Sequence, residues 1–183
     1  MSGEIIFVRH ADTDWTVSGQ HTGRTDLPLN AAGRERALAL RGRLDGDAFA
    51  AVWTSPLRRA RETAELLGFS PQTRAELAEW DYGDYEGLTS EQIDERAPGW
   101  DLWRDGCPGG ESPAAVAARA DAVLAELPDD GDVLVFSHGH MLRMLTARWL
   151  RLDASGGALF LIAPAAIGVL GQEHGRRVLR SLC

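Results

Sequence analysis

Residues 4–10 read EIIFVRH, an apolar run that ends in an arginine and a histidine. Adjacent isoleucines followed by Phe and Val are typical of a strand that is buried on both faces of a parallel sheet. Two further runs of the same kind occur at residues 51–55 (AVWTS) and 132–137 (DVLVFS). The sequence therefore predicts three buried strands, each of which ends next to polar side chains.

Helix signals lie between and after these strands. Asn30 is typical of an N-cap, Pro56 of a first helical position, and Ser112 of the cap of an alanine-rich helix. Helices are predicted over residues 30–44, 56–68, 90–96, 112–127 and 140–150. Further strands are predicted over residues 159–163, 167–173 and 176–182, and irregular loops over residues 12–29 and 77–87.

Strands that alternate with helices predict a three-layer α/β/α sandwich with a mostly parallel central sheet. The length of 183 residues favours one domain over two, so residues 1–183 are assigned to a single domain. In open α/β sheets a ligand binds where the strands end and the helices begin. The polar ends of the three predicted strands are therefore the expected site.

The composition excludes several classes of function. All 19 basic residues are arginines, so the chain has no lysine for a Walker-type phosphate loop or a Schiff base with a pyridoxal cofactor. The formal net charge of -8 argues against nucleic acid and against an anionic membrane as partners. An anionic ligand would need a local positive pocket in an acidic surface.

The cysteines and the hydropathy pattern predict where in the cell the protein is located. Cys107 and Cys183 lie far apart, without the spacing of a zinc site or of a disulfide framework, which favours a reducing environment. The sequence shows neither a signal-peptide pattern nor an apolar run of about 18 residues. We therefore expect a cytoplasmic protein that does not span a membrane, and the sequence leaves open whether it is a monomer or a homodimer.

The three strand ends bring basic side chains to one edge of the sheet. The first strand ends in Arg9 and His10, and the other two are followed by LRRA at 57–60 and SHGH at 137–140. Arginine binds phosphate oxygens through paired N–H groups, and a neutral imidazole can attack phosphorus. A carboxylic acid must then protonate the leaving alkoxide, and Glu79 is the candidate. This combination points to phosphoryl transfer.

Five stretches of the sequence carry a resemblance to a known family. They are FVRHADTDWTVSGQHTGRTDLPL (7–29), TSPLRRARETA (54–64), LAEWDYGDYEGLT (77–89), PGGES (108–112) and VFSHGH (135–140). Together they resemble the histidine phosphatase superfamily, also called phosphoglycerate-mutase-like, over essentially the whole chain. The residues of the first, third and fifth stretches are most similar to those of small members of the acid-phosphatase and sedoheptulose-bisphosphatase type.

The resemblance implies a role for each matching residue. His10 matches the phosphorylated nucleophile, Glu79 the proton donor, and His138 the second histidine, which binds the phosphate. Arg9 and Arg59 match phosphate ligands. Substrate contacts are implied for Thr16, Thr22, Gly23, Tyr82, Gly139 and His140. Neither a metal nor an organic cofactor is implied, and the expected partner is a small phosphorylated metabolite.

Two positions depart from the family pattern. Ala11 stands where the family usually has glycine after the nucleophile; its methyl group would strain the turn at positive φ and is harmless at negative φ. Thr16 stands where the mutases commonly have asparagine. The mutases also have a basic insertion that holds a carboxylate, whereas residues 89–110 offer only Arg96 and Arg104.

Three functions follow as alternatives, of which the first is favoured. They are a phosphatase for small phosphate monoesters such as sugar phosphates, a phosphoglycerate mutase, and a degenerate protein that only binds a phospho-ligand. His140 either supports its neighbours or contacts the substrate, and His21 lies either on a loop surface or on the rim of the site. The tryptophans of the predicted loops either pack beneath them or form an apolar roof over the leaving group. Two histidines spaced as in HGH are weak support for zinc.

Overall fold

The structure is a computed structural model that describes residues 3–44 and 48–183. Its strands are β1 (Ile5–Arg9), β2 (Phe49–Thr54), β3 (Gln72–Thr73), β4 (Asp132–Ser137), β5 (Ile167–Glu173) and β6 (Arg176–Leu182). They form one six-stranded sheet in the order β3-β2-β4-β1-β5-β6. Strands β1 to β4 pair in parallel, and β5 pairs antiparallel with both β1 and β6. The predicted mostly parallel sheet is confirmed.

Helices cover both faces of this sheet. They are α1 (Asp14–Ser18), α2 (Ala31–Leu38), α3 (Arg41–Leu44), α4 (Arg58–Leu66), α5 (Ser90–Arg96), α6 (Leu102–Asp105), α7 (Pro113–Ala125) and α8 (Gly139–Trp149). Short 3-10 helices span Ala75–Leu77, Gly83–Tyr85 and Ala154–Leu159. Among the residues that the structure describes, no helix is long and apolar enough to cross a membrane.

The side chains of β1 explain the three layers. Because successive residues of a strand point to opposite faces, Ile5 and Phe7 pack in one apolar core with residues of α7 and α8. Ile6 and Val8 pack in a second core with residues of α2 and α4. A strand that is buried on both faces must be apolar at every position, which is the pattern that the sequence showed.

The register of the central strands places the expected site. Arg9 is the partner of Ser137 in the parallel pairing of β1 with β4. The backbone N–H of His10 donates to the carbonyl of Ser137 at 2.9 Å, and that of Ser55 donates to Phe136 at 3.0 Å. Three parallel strands therefore end side by side, and the residues that follow each of them meet at one edge.

Several predicted elements match the structure and others do not. The strands at 132–137, 167–173 and 176–182 and the helix at 90–96 are confirmed with the same bounds. The prediction of a loop over residues 12–29 was incomplete, because Thr13 and Thr16 form a capping box that begins α1. One turn and a half is too short to show a helical period in the sequence.

Two further predictions were wrong in part. The helix at 30–44 is divided, because the N–H groups of Leu40 and Arg43 donate to carbonyls three residues back and the turn tightens between α2 and α3. Pro56 does not begin α4: the N–H of Leu57 donates to the Ser55 hydroxyl, which keeps Leu57 extended, and the helix begins at Arg58.

The strand predicted at 159–163 does not form. Leu159 ends a 3-10 helix, and residues 160–163 have no strand pairing. Leu159 and Leu161 are 76% and 83% exposed, and the carbonyl of Ile162 accepts a hydrogen bond from Arg9 Nη1 at 2.6 Å. The apolar run therefore lies over the sheet edge instead of within it.

Candidate active site

A cavity of about 230 Å³ lies at the carboxyl ends of β1 and β4. Eight of the eleven predicted site residues line it: Arg9, His10, Thr16, Thr22, Glu79, Tyr82, Gly139 and His140. The structure places Gly23, Arg59 and His138 behind this lining. The volume is below the range of about 300–1,000 Å³ that is usual for drug-sized ligands, so the cavity suits a small molecule.

His10 is held in one orientation. Its side chain is 5% exposed, and Nδ1 lies 2.7 Å from the carbonyl oxygen of Ala11, so Nδ1 carries the proton and donates it. Nε2, which has no protein partner in the described part of the chain, therefore carries a lone pair. Burial, together with the charges of Arg59 and Arg9, lowers the pKa of His10 well below 6.5. The imidazole is neutral and nucleophilic at neutral pH.

Ala11 fits the turn after His10 without strain. Its backbone does not adopt a positive φ, and its methyl group is buried in the second apolar core. Its N–H donates to the hydroxyl of Thr63 at 3.2 Å. The methyl group of Ala11 therefore does not strain this turn.

Arg59 and His138 form a buried layer behind His10. Both side chains have an exposed fraction of 0%, and the rings of His138 and His10 are 5.1 Å apart. Arg59 Nε donates to His138 Nδ1 at 3.1 Å, which leaves the proton of His138 on Nε2, 2.6 Å from the Ser55 hydroxyl. Burial and the charge of Arg59 lower the pKa of His138 well below 6.5.

Arg59 also fixes the loop that follows α1. Its two terminal nitrogens donate to the carbonyls of Thr22, Gly23 and Thr25 at 2.9–3.0 Å. The N–H of Gly23 donates to the carboxylate of Glu86, and a Cβ at Gly23 would lie 2.5 Å from the carbonyl oxygen of Trp80. Gly23 thus allows the loop to pack against the Trp80 backbone, and substrate contact by Gly23 stays a prediction.

Arg9 crosses the beginning of α8. A Cβ at Gly139 would lie 3.2 Å from the guanidinium carbon of Arg9, so the absence of a side chain there lets the arginine lie against the helix. Nη1 of Arg9 is held by Ile162, while Nε is buried without a hydrogen-bond partner. Among the described residues Arg9 makes no ion pair, so its charge is available to an anion in the cavity.

Glu79 caps the N-terminus of α8. Its Oε1 accepts hydrogen bonds from the N–H groups of Trp80 and Met141, both at 2.9 Å, and Oε2 accepts one from His140 at 3.1 Å. Glu79 as a residue is 7% exposed, and it lines the cavity. Oε2 has a second lone pair, at which it can hold a proton and donate it to a bound ester.

A partly buried arginine holds the loop that carries Glu79. Arg119, on α7, donates to the carbonyls of Glu76 and Ala78 at 2.7 and 2.8 Å and forms a bidentate pair with Glu111 at 2.8 Å. Glu111 also accepts the N–H of Asp81 at 2.9 Å. This pair was not predicted, although Glu111 lies in the PGGES stretch, because nothing local in the sequence links Arg119 to that loop.

An aromatic wall lies on the other side of the cavity. The Tyr82 hydroxyl and His140 Nδ1 are 2.6 Å apart, and the rings of His21 and His140 stack at 6.2 Å. Burial and the charge of Glu79 raise the pKa of Tyr82 well above 10, so its hydroxyl stays protonated. Both His21 and His140 line the cavity, which favours the rim position for His21. Trp15 also lines it, whereas Trp80 has an exposed fraction of 0% and packs beneath.

Other residues of the lining were not predicted. They are Gly19, Gln20, Ser90, Arg143, Leu161 and Ile162. Arg143 could have been found, because it lies three residues after His140 on a predicted helix and such residues share a face. Thr16, which was predicted, has its hydroxyl 2.9 Å from that of Thr13 in the capping box.

Within residues 3–44 and 48–183, no group of three or more His, Cys, Asp or Glu could hold a metal ion.

The two buried histidines predict a pH-dependent stability. His10 and His138 have lowered pKa values in the folded protein, so the unfolded chain takes up protons on them below pH 6.5 while the folded protein does not. The free energy of unfolding should therefore fall as the pH is lowered below that value, by up to about 3 kcal/mol per pH unit from these two groups. His140, whose pKa is also lowered well below 6.5 by burial and by the charge of Arg143, adds to the same slope. Denaturant titration in a phosphate-free buffer between about pH 6.5 and 5.5 measures this. His10→Asn should reduce the slope, and an unchanged slope in that variant would contradict the explanation.

Comparison with known proteins agrees with this geometry. The family model of the histidine phosphatase superfamily (branch 1) matches residues 5–183. An acid phosphatase of Mycobacterium tuberculosis is 43% identical over 97% of this chain and 91% of its own. The sedoheptulose 1,7-bisphosphatase of Saccharomyces cerevisiae is 36% identical over 83% of this chain and 69% of its own.

Solved structures give the same result. A protein of Mycobacterium tuberculosis superposes with a TM-score of 0.93 at 43% identity, over 100% of this chain and 97% of its own. A mycobacterial glucosyl-3-phosphoglycerate phosphatase superposes with a TM-score of 0.84 at 31% identity, over 97% of both chains. The resemblance inferred from the five sequence stretches is confirmed. The chain belongs to the histidine phosphatase superfamily (branch 1).

Proposed function

We propose that the chain hydrolyses small phosphate monoesters through a phosphohistidine on His10, with Glu79 as the proton donor and without a metal. One observation carries this proposal: the hydrogen bond from Nδ1 to the Ala11 carbonyl leaves the Nε2 lone pair of a neutral imidazole in the cavity. An imidazole in this state can displace an ester oxygen directly. Relatives named as phosphatases support the hydrolysis of phosphate esters.

The first step transfers the phosphoryl group to the protein. The Nε2 lone pair of His10 forms a bond to phosphorus as the bond from phosphorus to the ester oxygen breaks. The leaving alkoxide takes the proton from the carboxyl group of Glu79, which becomes a carboxylate. The products are a free alcohol and a phosphohistidine.

The second step returns the protein to its starting state. Glu79, now ionised, takes a proton from a water molecule as the oxygen of that water bonds to phosphorus. The bond from phosphorus to Nε2 breaks, and its electron pair returns to the imidazole. Inorganic phosphate leaves, and Glu79 is again protonated. The carboxyl group keeps its position in both steps because three N–H donors hold it.

The arginines stabilise the charge of the transferred group. A phosphoryl group spreads its negative charge over three equatorial oxygens, so cations fixed beforehand lower the barrier. Arg9 lies next to His10 in the cavity. Arg59 and His138 lie directly behind His10, and we propose that they bind the phosphate once it enters.

The geometry favours hydrolysis over the two alternatives. Arg104, one of the two arginines in the stretch that corresponds to the basic mutase insertion, is bound to Asp105 and the carbonyl of Gly99. Neither it nor Arg96 lines the cavity. The unstrained backbone at Ala11 removes the main reason to suspect a degenerate, non-catalytic protein.

The expected substrate is a small phosphorylated metabolite. We propose that the protein acts in the cytoplasm.

A metal-free assay tests the proposal. Purified protein should release phosphate from para-nitrophenyl phosphate at the same rate before and after incubation with a chelator, because no step uses a metal. Added magnesium or zinc should not increase the rate. Loss of activity with the chelator and recovery with a metal would contradict the mechanism.

A further inference from the structure

The main chain before Glu79 is held by an arginine that lies outside the cavity lining. Nη1 of Arg119, on α7, donates to the carbonyls of Glu76 and Ala78 at 2.7 and 2.8 Å. Nη2 donates to the carbonyl of Glu79 itself at 3.4 Å. Nη1 also lies 3.5 Å from Sδ of Met141, whose backbone N–H is one of the donors to the Glu79 carboxyl group. One guanidinium therefore contacts both the chain that carries the acid and the helix that binds it.

Glu111 holds the main chain after Glu79. Its Oε2 accepts the N–H of Asp81 at 2.9 Å, and its own N–H donates to the carbonyl of Asp81 at 2.9 Å. Its carbonyl accepts the indole N–H of Trp80 at 3.0 Å. Arg119 joins the two halves, because its Nε and Nη2 donate to the two carboxylate oxygens of Glu111, both at 2.8 Å. A bidentate pair of this kind has a defined geometry, and its side chains are only 21% and 19% exposed.

The position of Glu79 matters because a general acid acts over a short distance. It must come within about 2.6–3.2 Å of the oxygen that it protonates, and a displacement of about 1 Å can cost a hundredfold in rate. The donors on α8 hold the carboxyl group only while the main chain of Glu79 stays within reach of that helix. Arg119 and Glu111 fix the place of this main chain from both sides.

We propose that Arg119 and Glu111 are positioning residues for proton transfer by Glu79 and thereby determine which esters the protein hydrolyses. The proposal rests on the function proposed above. An alkyl ester needs the proton of Glu79 as its alkoxide leaves, whereas nitrophenolate leaves without one. The pair therefore makes alkyl phosphates good substrates, although neither residue touches the substrate.

The kcat/KM values of two esters test the proposal. This ratio covers the steps up to the transfer of the phosphoryl group and excludes the later hydrolysis of the phosphohistidine. In Arg119→Gln, kcat/KM for propyl phosphate should fall by about 10- to 100-fold, because the acid is displaced. That for para-nitrophenyl phosphate should change by less than about threefold, because its first step does not need the acid.

Two further variants grade the effect, and a third is the control. Arg119→Lys keeps the charge without the planar fork, and Glu111→Gln keeps an acceptor for Asp81 without the bidentate pair, so both should show a smaller loss of the same selective kind. Arg148→Gln removes another bidentate pair between α8 and α7, in which Arg148 donates to Asp121 at 2.8 and 3.0 Å. It should keep the wild-type ratio of the two kcat/KM values.

Combination with Glu79→Gln separates positioning from a general structural effect. Adding Arg119→Gln to Glu79→Gln should lower kcat/KM for propyl phosphate by less than about threefold, because no acid is left to position. A merely structural role would give the same factor in both backgrounds. That result, or equal losses on both esters in Arg119→Gln alone, would overturn the proposal.

Failure of this proposal differs from failure of the proposed function. Glu79→Gln alone must lose more activity on propyl phosphate than on para-nitrophenyl phosphate; without that difference the proton donor is refuted, and the positioning role with it. If Glu79→Gln shows the difference and Arg119→Gln does not, only the positioning role is refuted. If Arg119→Gln does not fold, Arg119→Lys and Glu111→Gln decide by the same criterion.

Discussion

His10→Asn is expected to reduce kcat by about four to six orders of magnitude, the loss typical of removing an enzymatic nucleophile. The amide of asparagine can still donate to the Ala11 carbonyl, which the imidazole Nδ1 contacts at 2.7 Å in the wild type. It cannot supply the Nε2 lone pair that attacks phosphorus. Steady-state release of phosphate from para-nitrophenyl phosphate measures the loss.

Two controls separate chemistry from folding in this variant. Inorganic phosphate should still bind to His10→Asn, because Arg9, Arg59 and His138 remain, and calorimetric titration measures that binding. His174→Asn changes a histidine of the turn between β5 and β6, outside the cavity lining, and should keep wild-type activity. A His10→Asn variant that retains more than about a hundredth of the wild-type rate would contradict a histidine nucleophile.

Glu79→Gln is expected to slow hydrolysis of an alkyl phosphate by about a hundred- to ten-thousand-fold, which is the usual contribution of a general acid. With para-nitrophenyl phosphate, the rate of the first step should fall far less, because nitrophenolate can leave without taking up a proton. Its second step still needs Glu79 to accept a proton from water. A burst of nitrophenolate followed by slow turnover is therefore expected.

The comparison of leaving groups is also the control for this variant. Glutamine can replace Oε1 as an acceptor for Trp80 and Met141, but its amide nitrogen meets the N–H of His140, so some local disturbance is expected. A disturbance of binding would affect aryl and alkyl esters alike. Equal losses on both esters, without a burst, would show that Glu79 is not the proton donor.

The sequence predicted β1 and β4 well because a strand that is buried on both faces needs apolar residues at successive positions. DVLVFS at 132–137 is apolar for nearly its whole length, and β4 has those bounds. Because parallel strands end at one edge, the same reasoning placed His10 and His138 close together, and their rings are 5.1 Å apart. Local pattern and topology together were sufficient for this part of the site.

Features that depend on contacts distant in the sequence were not predictable in this way. The loop that carries Glu79 is positioned by Arg119, which lies 40 residues later in sequence. Residues 159–163 resemble a strand but have no neighbour to pair with, and Arg9 binds the carbonyl of Ile162 instead. Hydrophobic periodicity carries no information about such pairings, and tertiary contacts decide them.

The most direct test of the phosphohistidine mechanism is to trap the intermediate. Glu79→Gln mixed with para-nitrophenyl phosphate and quenched in alkali should show, by mass spectrometry of the intact protein, the added mass of one phosphoryl group. Peptide mapping should place that group on His10, brief acid treatment should remove it, and Glu79→Gln combined with His10→Asn should not acquire it. Phosphate release by the wild-type protein with no phosphoryl group trapped on His10 in Glu79→Gln, or with one trapped on another residue, would contradict the mechanism.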